Sequence, residues 1–280
     1  TDMAPATVQR YETSLKHTRD FVWETYHKKD VLLDEVSRQF IEDYEFWLKT
    51  EKKCCHNTAT KYLKNFKKII RIALAKGWMK NDPFLEIRFS LDKVEPDFLE
   101  DSEIQKLISK EIDIPRLSQV RDIFVFCCFT GLAFSDIHGL RKEHIVEDSN
   151  GVRWIRKGRQ KTKIMCNIPL MEIPLKILEK YSTNEYCKKH GVLFPVLCNQ
   201  KMNAYLKELA DICGIKKTLT THVGRHTFAT FALANGVSIE SVAKMLGHTN
   251  VQMTRHYARV LDRTVIREMS QIKMDFHFSI

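Results

Sequence analysis

The sequence predicts a mainly α fold in two domains with one small β-hairpin, and three observations carry that expectation. The chain has 280 residues, more than one hydrophobic core usually holds, which favours two domains of roughly 100 to 200 residues. Apolar residues recur at amphipathic-helix spacing along most of its length. Two runs only, residues 152–157 and 163–170, read as strands, joined by Gly158-Arg159-Gln160-Lys161-Thr162.

Up to about residue 93 every element reads as helix. The spacing of Tyr11, Leu15, Phe21-Val22 and Tyr26, then of Phe40-Ile41, Tyr44 and Trp47-Leu48, marks two core-facing stripes. A third helix is predicted from Asn57 to Lys76, with Asn57 as its cap and Tyr62, Phe66, Ile69-Ile70 and Ala73-Leu74 as its apolar stripe. Its other face carries Lys61, Lys64, Lys67, Lys68 and Arg71. Between Lys49 and Lys80 there are ten Lys or Arg against one acid, Glu51. A helix apolar on one side and cationic on the other is suited to a phosphate backbone.

Two prolines and several charges without periodicity mark a linker near residues 88–97, so the domains are expected at 1–93 and 97–280. A helix begins at Leu99-Glu100-Asp101-Ser102, and helices continue on either side of the hairpin. From Arg153 to Lys163 the hairpin holds six Lys or Arg (153, 156, 157, 159, 161 and 163) and no acid, a density that a phosphate partner explains better than a solvated turn. Thr220 or Thr221 can cap a helix ending at Asn235-Gly236, and Ser238 caps a short one that Gly247 stops. The tail from Met274 to Ile280 alternates like a half-buried strand.

Composition excludes several classes. Apolar residues at 44% and charged residues at 29% describe a packed globular chain. The longest apolar run, Ile123 to Phe134, is interrupted by Thr130-Gly131, so no membrane span is expected. The eight cysteines contain no C-x-x-C, and Cys127-Cys128 read as core residues. No secretory leader is evident from Thr1 to Pro5, and a reducing, cytoplasmic bacterial compartment is expected. A net charge of +10 favours a polyanionic partner.

The densest chemistry lies in Thr220-Thr221-His222-Val223-Gly224-Arg225-His226. His222 and His226 have the spacing of a zinc-hydrolase pair, but the glutamate such a site needs is replaced by Val223 and Gly224. What remains is a His and an Arg three residues apart on one helix face, suited to binding one phosphate together. The next helix ends in Leu246-Gly247-His248, and Tyr257 follows nine residues after that His. A helix, an Asn-Gly turn and a second helix, taken alone, read equally as a helix-turn-helix.

His222-x-x-Arg225, Leu246-Gly247-His248 and Tyr257, in this order and spacing, resemble the tyrosine recombinase (phage integrase) family. Thr130-Gly131-Leu132 with Ser135-Asp136-Ile137, and Lys161 eight residues before Pro169-Leu170, extend the resemblance. It implies a SAM-like helical core-binding domain followed by a tyrosine recombinase catalytic domain. It also implies site-specific recombination, with Tyr257 as nucleophile forming a 3′-phosphotyrosyl bond. Arg225, His222 and His248 would bind the scissile phosphate, His222 would also exchange the tyrosine proton, and Lys161 would protonate the leaving 5′-oxygen. No metal is required, since arginine and imidazolium replace the charge a magnesium ion would bring, and no ATP, since the phosphotyrosyl bond conserves the energy of the phosphodiester. Double-stranded DNA is the implied partner, bound by a homotetramer on two sites with accessory DNA-bending proteins. Arg156 and Arg159 are expected to touch DNA from the hairpin, and the tail from 260 to 280 to dock on a neighbouring protomer.

One position departs from the family pattern. The first catalytic arginine, expected just after Thr130-Gly131-Leu132, is Ala133 here. Such a pattern resembles integrases of mobile elements from Bacteroides-like bacteria. Arg121 is the foremost candidate substitute and Arg141 the second. A non-cleaving DNA-binding protein on the same fold, and a type IB topoisomerase acting without synapsis, are the alternatives.

Overall fold

The computed structural model describes residues 3–257 and 269–270. The chain divides into two compact units, Thr1–Glu95 and Pro96–Ile280. Each has its own core.

The first unit packs three helices, α1 (Pro5–Tyr26), α2 (Arg38–Thr50) and α3 (His56–Ala75). Their stripes meet around Phe21, whose ring lies 4.9 Å from that of Tyr44 and 5.1 Å from that of Phe40. Two residues counted as core from their spacing are solvent-facing instead: Leu15 and Ile69 are both about half exposed. The buried stripe of α3 runs through Ala59, Leu63, Ile70 and Ala73, which leaves Ile69 exposed, as Lys61, Lys68 and Arg71 are. Asn57 does not cap α3. The cap position is Cys55, while Asn57 exchanges two hydrogen bonds with the backbone of Asp92, at 2.9 and 2.8 Å. Lys67 is not free on the cationic face either. Its ammonium donates to the Phe84 carbonyl at 3.3 Å and lies 5.2 Å from the Phe84 ring centroid, an aromatic shelf that holds the charge by cation–π attraction.

The second unit is built around α5 (Pro115–Thr130), which buries residues nearly all round from Leu117 to Thr130. Packed with it are α4 (Asp101–Ser109), α7 (Glu172–Tyr181), α9 (Asn199–Ile212) and α10 (Thr221–Ala234), and the same unit holds α6 (Phe134–His138) and α8 (Glu185–His190). Helix α11 (Ile239–Leu246) and Tyr257, which follows α12 (Gln252–Arg255), form with α10 a smaller cluster of Phe228, Ala229, Val242, Leu246 and Tyr257. The predicted hairpin has a third strand: β1 (Ile145–Glu147), β2 (Arg153–Gly158) and β3 (Met165–Pro169) make one antiparallel sheet in that order. Ile155 pairs with Ile168, and Lys157 with Cys166. Among these, Ile155, Cys166 and Ile168 point inward and are buried, whereas Arg156 is exposed. The turn is closed by Arg159 N–H to the Ile164 carbonyl and by Lys163 N–H to the Arg159 carbonyl, both 2.9 Å.

Cys127, Cys128 and Cys166 are buried free thiols, as expected of core residues. Burial pushes the Cys127 thiol up to about 12 and the Cys166 thiol up to about 11, so both stay protonated. No helix among the described residues is long and apolar enough to cross a membrane. The predicted tail strand lies outside the described residues.

Candidate active site

Helix α10 presents His222 and Arg225 from its first turns. Its first backbone donor is met by a neighbouring helix, not by the predicted threonine side chain: Thr221 N–H bonds Asn203 Oδ1 at 2.9 Å. Arg225 is 2% exposed and held by the backbone. Nη1 donates to the Gly131 carbonyl and Nη2 to the Leu246 carbonyl, both at 2.7 Å. Nη2 also lies 3.0 Å from His248 Nε2.

Two glycines make this approach possible. Gly131 (φ 67°) ends α5 in the left-handed region, and a Cβ there would lie 2.4 Å from Phe228 Cδ1. Gly247 (φ 61°) ends α11, where a Cβ would lie 2.7 Å from both Arg159 Cδ and Cys166 Sγ. Any side chain at either position collides as well as straining the backbone.

His248 follows Gly247 and stands between Arg225 and Thr254, its Nδ1 2.8 Å from Thr254 Oγ1. Arginine only donates, so Nε2 must be the bare acceptor and Nδ1 must carry the proton. Burial, and then the charges of Arg225 and Arg159, lower the His248 pKa to about 4. The ring is neutral at pH 7 and keeps that tautomer. Tyr257, 8% exposed, stacks against it with ring centroids 6.0 Å apart. Burial and Arg159 weaken the hold of Arg225 on its proton, while the neighbouring Tyr257 hydroxyl strengthens it.

His222 reaches the surface, but protein packed on its inner side lowers its pKa, assisted by the charges of Arg225, Arg159 and Lys161. A neutral imidazole at pH 7 is free to accept a proton. His226 was not singled out for this site, yet it bridges the two: its ring is 4.4 Å from that of His222 and 4.9 Å from that of Tyr257. The signal was its position one helical turn after His222. No group of three or more His, Cys, Asp or Glu among the described residues could hold a metal ion.

The hairpin reaches the same place. Lys161 is exposed at its turn, within electrostatic range of His222. Arg156 is exposed on the outward face of β2. Arg159 approaches the cluster: its charge acts on Arg225, His222 and His248.

Arg121 is corrected. It occupies another part of α5, where its guanidinium bonds Asp122 Oδ1 at 3.0 Å and the Lys110 carbonyl at 2.7 Å. Asp122, 6% exposed, also accepts from Lys180 at 2.6 Å and from the Tyr181 hydroxyl at 3.0 Å. Arg121 belongs to the ion network around buried Asp122 and, among the described residues, shares no hydrogen-bond partner with Arg225 or His248. Arg141, the second candidate, is exposed before β1.

Residues 97–264 match the model of the phage integrase family, and residues 1–91 match that of a phage integrase SAM-like domain. A tyrosine recombinase of Pseudothermotoga lettingae is 30% identical over 244 residues, 84% of this chain and 82% of that protein. Tyrosine recombinase XerD of Shewanella oneidensis is 24% identical over 277 residues, 95% of this chain and 89% of its own. Among solved structures, a lambda integrase dimer bound to a COC′ core site gives a TM-score of 0.75 at 18% identity, covering 94% of this chain and 91% of that one. The Tn1549 transposon integrase in complex with circular intermediate DNA gives 0.70 at 18% identity, covering 96% and 94%. At such identities the likeness is one of fold.

Proposed function

The chain belongs to the phage integrase family and is a tyrosine-type site-specific DNA recombinase, and from that premise we propose that Tyr257 is the nucleophile of a 3′-phosphotyrosyl mechanism. The observation that supports this reading is the convergence of Arg225, His248 and Tyr257, from three separate segments, with His222 at the rim.

In the forward step the Tyr257 oxygen attacks the scissile phosphorus as the bond to the 5′-oxygen breaks. Its proton passes to neutral His222, and Lys161 protonates the leaving 5′-oxygen. Arg225 donates to the non-bridging oxygens, whose charge grows in the transition state, and His248 steadies that guanidinium by accepting from it at Nε2. A 5′-hydroxyl of the partner strand then attacks the phosphotyrosine and both proton transfers run backwards. One phosphodiester is exchanged for another, so no external energy source enters.

The exposed Lys61, Lys64, Lys68 and Arg71 of α3 and Arg156 of the hairpin are assigned to backbone phosphates. The Ala133 variant of the Thr130-Gly131-Leu132 box supports a mobile-element integrase of Bacteroides-like type over a chromosome resolvase. Four protomers on two DNA sites, aided by bending proteins, would complete the reaction.

The test is a nicked duplex whose cleaved end diffuses away. Wild-type protein should form a denaturant-resistant covalent adduct, and Tyr257→Phe should form none. An adduct that persists in that variant, or none from wild type on the cognate sites of its element, would refute the mechanism.

A further inference from the structure

Resting on that reading, we infer that Arg159 contacts the scissile phosphate and takes the catalytic role left open at Ala133. Three features of its setting carry the inference.

The first is its anchor. Arg159 Nε donates to Asp136 Oδ2 at 3.4 Å, and the next residue's backbone, Gln160 N–H, donates to Asp136 Oδ1 at 2.9 Å. Asp136 is 1% exposed and lies in the first turn of α6, three residues after the Ala133 cap. The carboxylate that holds Arg159 therefore sits on the very turn from which an arginine at 133 would reach out. The guanidinium enters the site from the hairpin instead of from the helix cap.

The second is its path. The Arg159 stem crosses Gly247, where the absent Cβ leaves room for Cδ and Cγ. That crossing brings the side chain alongside His248 and Arg225. Its backbone is pinned by both hydrogen bonds that close the turn, so its placement is independent of the exposed Lys161 tip.

The third is its charge. Among the described residues, Nε alone of the Arg159 guanidinium donates to protein, which leaves both Nη groups to a ligand. The side chain is only 11% exposed and faces the buried Arg225, with Asp136 its one acidic partner among the described residues. The Arg225 proton is held less firmly because of burial first and this neighbouring cation second. A bound anion relieves that repulsion, and a phosphodiester is the anion this enzyme meets.

The experiment compares adduct formation on a nicked duplex with an ordinary scissile phosphate and on one with a methylphosphonate there, which lacks the negative charge. Arg159→Ala should slow cleavage of the phosphodiester about 100- to 1000-fold. On the methylphosphonate it should fall much less behind wild type, because there is less charge to oppose. Arg159→Lys should recover part of the rate, and adding Ala133→Arg to Arg159→Ala should recover more. If wild type forms an adduct and Arg159→Ala matches it, the proposal fails alone. It also fails if Arg159→Ala loses equally on both substrates, since a folding defect is blind to the phosphate's charge. Absence of any wild-type adduct overturns the tyrosine mechanism and this assignment with it.

Discussion

Thr254→Val isolates the hydrogen bond that sets the His248 tautomer. Thr254 is fully buried, and its hydroxyl accepts the Nδ1 proton of His248 at 2.8 Å. Valine keeps the shape and removes the acceptor. The buried Nδ1–H is then left unpaired, at a cost of about 1 to 3 kcal/mol. Moving the proton to Nε2 would satisfy nothing, because it would aim a donor at Arg225 Nη2, 3.0 Å away. That switch would cost the arginine its acceptor, and every ~1.4 kcal/mol lost from the transition state slows cleavage about tenfold. Thr254→Ser is the control: it keeps the acceptor and deletes a buried methyl, at about 1 kcal/mol. Urea unfolding of the full chain and single-turnover adduct formation measure the two effects. Valine should lower both stability and cleavage, the latter about tenfold, whereas serine should lower stability alone. Equal cleavage by the two variants would refute the tautomer argument.

Other expectations follow from the same geometry. Because the His248 pKa is lowered, the unfolded chain takes up a proton near pH 6.5 and the folded chain near pH 4. Its contribution is complete above about pH 6.5 and is lost as pH falls toward 4, amounting to about 3 kcal/mol; His248→Gln should flatten the urea-midpoint profile over that window, and an unchanged profile would remove His248 as its source. Gly247→Ala should destabilise by roughly 2 to 4 kcal/mol, combining left-handed strain with overpacking against Cys166 and Arg159; a midpoint equal to wild type would contradict the close approach. Arg121→Ala should unfold more easily but cleave within about threefold of wild type, since its partners are Asp122 and Lys110; selective loss of cleavage would return it to the active site. Neutralising Lys61, Lys64, Lys68 and Arg71 together should reduce the salt dependence of DNA binding by a slope of about 3 to 4, read from binding titrations at several salt concentrations; Lys67→Ala should leave that slope unchanged.

The residues on α10 and α11 were legible because their roles are tied to local order. His222 and Arg225 share a face through helical spacing, and Gly247 stops α11 where His248 must turn inward. The α class was legible for the same reason: most stripes of amphipathic helices survive in the cores of both units. Arg121 misled because α5 is buried nearly all round, so its pattern does not show which side faces which neighbour. Arg159 carried a signal that its turn obscured. Alternation from buried Ile155 through Lys157 puts residue 159 on the inward side, opposite Arg156. Asn57 was read as a cap because its partner, Asp92, lies 35 residues away. The three residues of β1 are too few to show a period.

The two carbonyls that hold Arg225 share one property. Gly131 closes α5 and Leu246 is the last residue of α11, so each lies at the C-terminal end of a helix. Aligned peptide dipoles gather about half a negative charge at such an end. Two of them face one buried guanidinium, and among the described residues no carboxylate bonds to it. The cation is thus stabilised by fractional charges that cannot be protonated and do not form a closed ion pair. A carboxylate in their place would neutralise the charge that draws the phosphate. Helix ends hold the arginine in the protein while leaving its attraction for DNA largely unspent.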